Sequence, residues 1–190
     1  MAAYQTYGII LKKTDRGEVD QLFSIYTQQQ GKITALGRGT KKITSKLNGH
    51  LQPFAIINLM VAPGKNFDHV AGAVIIKRFF NIQKDLKKIA LASFGLELVD
   101  KINQAGQPEP KMFALLARFF SAIDSNLFTD REWHLVRQAF IIKLLTILGL
   151  RPNEKIIADP KKLDEFFKNH LDFEIQSEKL LFKAIPLTTK

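Results

Sequence analysis

Through the first 80 positions, short apolar runs alternate with polar residues and break often at glycine or proline, the pattern of strands joined by turns. Tyr4 to Leu11, rich in aromatic and β-branched residues, is the first predicted strand, with Asp15-Arg16-Gly17 as a turn signal after it. Val19 to Thr27 is the second, ended by Gln28 to Gly31. Lys32 to Leu36 is the third and closes at Gly37-Arg38-Gly39. Phe54 to Val61 and Val70 to Phe80 follow, separated by Pro63-Gly64. Five short strands punctuated in this way predict a small closed or nearly closed barrel, with glycines 37, 39, 49, 64 and 72 at its bends.

The period then changes. Asp85 to Asn103 is apolar on most sides, as in a helix packed within a bundle. Pro110 suits the first turn of the next helix, where Met112, Leu116, Phe119 and Ile123 form one stripe. Thr129 with Glu132 is a capping-box pattern opening a third helix that ends at Gly149, with Pro152 beyond. Asp159-Pro160 reads as the cap and first turn of a short helix to about Asn169. Phe173 to Leu187 reads as a short hairpin or an irregular tail. The predicted fold is α+β: residues 1–80 a five-stranded barrel domain, residues 81–190 an all-helical domain.

Charge sharpens this picture. The 28 Lys and Arg outweigh the 18 Asp and Glu, and the surplus is uneven, 11 against 4 in residues 1–80 but 17 against 14 thereafter. A local surplus creates a field that attracts polyanions. It peaks at Gly31 to His50, which holds Lys32, Arg38, Lys41, Lys42 and Lys46 and no carboxylate. Glycines that let backbone amides approach, small hydroxyl residues and cations together suit phosphate contacts; a solvated loop is the plainer alternative. Among Tyr4, Tyr7, Tyr26, Phe54 and Phe67, Tyr26 is the first choice for stacking on an unpaired base, because polar residues flank it.

Other chemistry finds little support. The chain has no cysteine, which excludes disulfides and thiolate metal sites, and no two histidines are three to five apart. Gly37-Arg38-Gly39 lacks the third glycine and the following helix of a dinucleotide fingerprint, and no phosphate-binding Walker lysine pattern occurs. No cofactor is expected. Asp15, Glu18 and Asp20 could hold Mg²⁺, although a turn explains them more simply. No catalytic set is evident, so the protein is not expected to be an enzyme. Phe119-Phe120 and Phe166-Phe167 each place two aromatics side by side; one of each pair could line a groove for a partner's apolar segment, or a second helix could cover it. No signal peptide or membrane-spanning run is visible, so the expected location is the cytoplasm.

Several motifs resemble one family. Gly17-Glu18-Val19-Asp20-Gln21-Leu22-Phe23-Ser24-Ile25-Tyr26-Thr27, then Gly31-Lys32 and Gly37-Arg38-Gly39-Thr40-Lys41-Lys42, are similar to the early part of RecO, a recombination mediator. Ser45-Lys46-Leu47 followed by Leu51-Gln52-Pro53-Phe54 is the most specific stretch, and Leu86 to Asp100 resembles the helix opening the family's second domain. The resemblance is strongest over residues 7–103 and continues to about 150. It implies an OB-fold barrel followed by helices, and binding of single- and double-stranded DNA. It also implies annealing of complementary strands, and partnership with RecR in placing the RecA recombinase on strands coated by single-stranded-DNA-binding protein. By position, the DNA contacts it implies are Lys32, Arg38, Lys41, Lys42 and Lys46. Many members carry a four-cysteine zinc module after the position of Gly149-Leu150. Here no cysteine follows, so the resemblance implies a reduced second domain without a zinc finger, and contacts that depend on it, such as the coating protein's tail, are open. An RNA-binding OB protein of the translation apparatus, a Mg²⁺ enzyme and a protein-only scaffold are the rival readings.

Overall fold

A computed structural model describes residues 2–171 and 173–185. Five strands, β1 (Tyr4–Arg16), β2 (Asp20–Thr27), β3 (Gly31–Gly37), β4 (Ala55–Ala62) and β5 (Asp68–Arg78), close a barrel in the order β1-β2-β3-β5-β4. All neighbours are antiparallel except β3 and β5, whose short parallel pairing (Ala35 with Asp68, Leu36 with His69) closes the cylinder. This is the OB-fold arrangement expected from the sequence.

β1 is the longest strand because it serves two partners. Its first half pairs with β4, from Tyr4 opposite Val61 to Gly8 opposite Ile57, and the pairing with β2 runs from Gly8 to Arg16. Gly8 is the shared corner, where a Cβ would come within 2.6 Å of the Leu59 side chain and 2.8 Å of Ile25. A bulge between Ile10 and Lys12 bends the strand. Beyond it, Lys12 to Arg16 form an exposed arm of the β1–β2 hairpin, turned at Gly17 with φ +67°. The strand thus runs five residues past the predicted end at Leu11.

Alternate residues of the strands fill the barrel: Ile10, Phe23, Ile25, Ala35, Ile57 and Leu59 among them. The β3–β4 connection contributes to this core. Leu51 N–H donates to the Leu47 carbonyl at 2.9 Å, closing one helical turn that drives Leu51 into the barrel, where it is completely buried. Full burial of such a side chain stabilises by about 1.5–3 kcal/mol. Phe54, buried and held at φ +57°, then redirects the chain into β4. Such a backbone persists in a bulky residue only where surroundings over-determine it. Here the Phe120 ring, 5.9 Å away edge-on, and the Phe79 N–H bonded to the Phe54 carbonyl do so. The Leu-Gln-Pro-Phe step is therefore structural.

After a 3₁₀ turn (Ile82–Lys84), the described residues form α1 (Leu86–Ile102), α2 (Pro110–Ser125), α3 (Asp130–Ile147), α4 (Glu154–Ile157), α5 (Pro160–Asn169) and α6 (Gln176–Ala184). The helix starts follow local chemistry. Asp85 caps α1 through the Lys87 and Lys88 amides, Thr129 and Glu132 form the capping box of α3, and Asp159 caps α5 with Pro160 behind it. The region read as a hairpin or irregular tail instead contains α6; its positions 186–187 lie outside the described residues. Among the described residues no helix is long and apolar enough to cross a membrane.

The helices and the outer wall of the barrel share one core, which joins Ile9, Leu11, Tyr26, Phe54 and Phe79 to α1, α2 and α3. That core settles the phenylalanine pairs. Phe120 turns to Phe54 and Phe79 of the barrel side, while Phe119 stacks on Phe140 of α3 with ring centroids 4.1 Å apart. Phe167 is fully buried and Phe166 half-buried, its ring packed on His170. Arg137 of α3, 4 % exposed, ties in the last helices through Asp164 of α5 and Glu178 of α6, both at 2.6 Å.

Candidate nucleic-acid interface

The basic loop begins where the chain leaves β3, and two carboxylates fix it there. Asp20, at the start of β2, accepts the Gly39 N–H at 2.7 Å, and Lys41 N–H donates to the Val19 carbonyl at 3.0 Å. Gly39 sits at φ +63°, and the buried Thr40 hydroxyl donates back to Gly37. Asp15, on the hairpin arm, takes the Lys41 ammonium at 2.8 Å and the Gln21 amide at 2.9 Å. Bonds from Lys41 and then Gln21 hold the Asp15 carboxyl below the usual carboxylate range. Two of the three clustered acids therefore act as loop anchors. Among the described residues no group of three or more His, Cys, Asp or Glu is placed to hold a metal ion.

Of the cations picked out in the sequence, Arg38, Lys42 and Lys46 project to solvent and enter no salt bridge among the described residues. Lys41 is exposed but paired with Asp15. Lys32 departs from the expectation. It is half-buried on β3, its ammonium 2.9 Å from the Asp100 carboxylate and also donating to the Asp100 carbonyl, so its charge is already met by α1.

Tyr26 requires a correction. It has no exposed surface, and its hydroxyl donates to the Glu109 carbonyl and accepts the Glu109 N–H, both at 3.2 Å. Burial, opposed by the backbone hydrogen bond, pushes its pKa upward. No base can reach the ring. Ser24 and Lys32, on the strand pair that carries Tyr26, face the same helical part, with Ser24 donating to Asp100 at 2.6 Å.

These contacts form one interface. The end of α1 and residues 105–109 lie across the β2–β3 wall near Thr27 and Gly31. Gly106 N–H donates to the Lys32 carbonyl at 3.0 Å, and Lys32 bridges Ala105 in parallel. Gly31, at φ +66°, leaves space for this segment; a Cβ there would stand 2.3 Å from the Gln107 carbonyl oxygen. In OB folds the β2–β3 face and the β1–β2 and β4–β5 loops take oligonucleotides. Here that face is covered at one end, and the opposite end, with both loops and the start of the basic segment, is open.

The open end also holds Lys13, Arg16 and Lys65, which the sequence reading passed over, and Phe67, one of its stacking candidates. Lys13 and Arg16 lie exposed on the hairpin arm, while on the β4–β5 connection Lys65 is exposed and Phe67 half-buried. The Arg16 guanidinium carbon stands 4.7 Å from the Phe67 ring centroid. The signal was the run Lys12-Lys13-Thr14-Asp15-Arg16, which lacks apolar alternation and so did not read as strand.

A second concave surface lies between α2 and α3. This groove of about 600 Å³ has an apolar floor that includes Leu115, Phe119, Val136 and Phe140. Lys111, Arg118, Lys143 and Arg151 stand along it, Arg151 paired with Glu154 at 3.4 Å, and none of its described lining residues is a carboxylate.

Comparison with known proteins is consistent along most of the chain. Residues 1–79 match the family model described as Recombination protein O N terminal, and residues 83–155 match Recombination protein O C terminal. A protein named DNA repair protein RecO from Dehalococcoides mccartyi (strain 195) is 33% identical over 156 residues, 82% of this chain and 60% of the relative. Proteins of the same name from Geobacter metallireducens and Alkaliphilus metalliredigens are 31% and 29% identical, over 80% and 78% of this chain and 60% and 59% of their own lengths. The chain thus spans about 60% of the length of these curated relatives.

Proposed function

The chain belongs to the RecO family of DNA repair proteins, and from that premise we propose that it binds single- and double-stranded DNA through the open end of its barrel and anneals complementary strands. The observation that carries the reading is the set of free cations Arg38, Lys42 and Lys46 on a loop whose start is fixed by Asp20 and Val19. Annealing by such a surface needs no bond-making step. Cations placed between two phosphate backbones lower their repulsion, and the strands then pair by their own complementarity. Lys41 adds to the field once a phosphate displaces Asp15, an exposed pair that costs little to open. Lys32 does not contact DNA in this reading.

The helical groove supplies a second contact. Its apolar floor and rim of four cations suit an acidic segment bearing apolar side chains, such as the tail of single-stranded-DNA-binding protein. With DNA on the barrel and that tail on the groove, the protein brings coated strands to RecR and, through it, to RecA.

The test is annealing of dye-labelled complementary DNA strands followed by energy transfer, with RNA strands of the same sequence alongside. Accelerated DNA annealing that falls as salt rises supports the reading. No acceleration at low salt refutes it, and a clear preference for RNA favours the translation-apparatus alternative.

A further inference from the structure

With Tyr26 buried, the aromatic surface available to an unpaired base lies elsewhere. Phe67 ends the β4–β5 connection, one residue before Asp68 pairs with Ala35, and it is half-buried. Over its ring lies the Arg16 guanidinium, 4.7 Å from the centroid, reaching from the arm of the β1–β2 hairpin. Arg16 is exposed and makes no salt bridge among the described residues. The two loops that flank an OB-fold ligand face are thus joined by a stacked pair of a planar cation and a ring.

The basic loop lies beside this pair. Gly39 is bonded to Asp20, the cross-strand partner of Arg16, and Gly37 pairs with Gln21 one step away. A strand whose phosphates follow Arg38 and Lys42 therefore passes within reach of Arg16 and Phe67. The other end of the β2–β3 wall is closed by Asp100 and residues 105–109, so the bases have one open direction.

We infer that Arg16 and Phe67 form a stacking bracket for one unpaired base of single-stranded DNA, and that this bracket distinguishes single strands from duplex. The inference rests on the DNA-binding reading above. The base stacks on the outer face of the guanidinium, whose other face the Phe67 ring supports, or slides between them; both flat surfaces are sequence-tolerant. A duplex presents its bases already stacked and meets only the cations.

The test uses Phe67→Trp and Phe67→Ala in the full chain. Trp133, 3 % exposed in α3, is the protein's only natural tryptophan and serves as an internal check that the fold is kept. Saturable quenching of the new indole by oligo-dT, absent with a blunt duplex at equal occupancy by anisotropy, is the expected result. Phe67→Ala should weaken single-strand binding about fivefold to a hundredfold while leaving duplex affinity and the salt dependence in place. Anisotropy that reports binding while the indole emission stays constant overturns the bracket and leaves the DNA reading standing. Equal losses for single strand and duplex in Phe67→Ala also overturn it, because the residue would then act by shaping the loop. Absence of binding to either DNA at low salt overturns both.

Discussion

Reversing the charge of Arg38 and Lys42 together measures how much of the DNA affinity the barrel loop carries. Each phosphate that a cation neutralises releases about 0.9 of a counterion from duplex DNA, so three free loop cations give a slope of log K against log salt near −2.7. Losing two contacts at roughly 0.1 M salt weakens binding on the order of 60-fold and makes the slope shallower by about 1.8. Repulsion from the new glutamates adds to that, so 60-fold is a lower bound. Both side chains are exposed and bond to nothing that holds the fold, so the unfolding midpoint should stay where it is. Lys32→Met is the matched control: its ammonium is occupied by Asp100, so the slope should not move, although stability should fall. Anisotropy of a labelled duplex across a salt series reads all of this. An unchanged slope in Arg38→Glu/Lys42→Glu, or an equal drop in Lys32→Met, refutes the assignment of the phosphate contacts to the loop.

Three further outcomes follow from the packing. Arg137→Met leaves Asp164 and Glu178 facing an uncharged side chain, and should lower stability by about 3–5 kcal/mol in urea unfolding, with proteolysis starting in α5 or α6. Gly31→Ala sets a Cβ 2.3 Å from the Gln107 carbonyl oxygen at φ +66°; it should destabilise by on the order of 2 kcal/mol or more and speed hydrogen exchange at Gly106. Glu97 carries an acid-sensitive latch. Burial pushes its pKa up, but bonds from Ser177 (hydroxyl and amide), the Gln176 amide and Lys101 outweigh burial and bring it down to about 2. Because the folded pKa lies below the unfolded 4.5, this stabilisation is complete above pH 4.5 and is lost as pH falls toward about 2. Exchange at the α6 amides should rise through that window, and Glu97→Gln should remove the pH dependence.

What the sequence made legible was local. Strand alternation placed β2 to β5 within two residues at each end and the start of β1, and Asp85, Thr129 and Asp159 announced their helices because the capping atoms lie within three residues of the amides they serve. The misses are non-local. α6 has no capping signal of its own; Ile175 occupies the cap position, and the carboxylate that meets the first amides is Glu97 in α1. Tyr26 looked accessible because polar residues flank it, but its ring is buried and its hydroxyl bonds to the Glu109 backbone in the segment after α1. β1 looked shorter because Lys12 to Arg16 bury nothing, and their strand geometry comes from pairing with β2 alone. The sequence groups the cations of Gly31 to His50 together, but which of them are free depends on carboxylates across the fold, Asp15 for Lys41 and Asp100 for Lys32.

The carboxylates at the loop itself, Asp15 and Asp20, bear on how the proposed site would work. In the proposed DNA-binding reading, Asp15 and Asp20 subtract two charges from the surface that attracts phosphate, which by field alone weakens binding. Asp20 spends its charge on the Gly39 amide and Asp15 on Lys41, and together they fix the loop against the β1–β2 hairpin before any ligand arrives. A backbone already fixed at Gly39 and Lys41 incurs no ordering cost there on binding, which offsets part of the field the two carboxylates remove. A loop fixed by neutral partners would keep the field but could not offer Lys41 an exchangeable one. With Asp15 as that partner, Lys41 in the proposed DNA-binding reading is held while the site is empty and released when phosphate takes the place of the carboxylate.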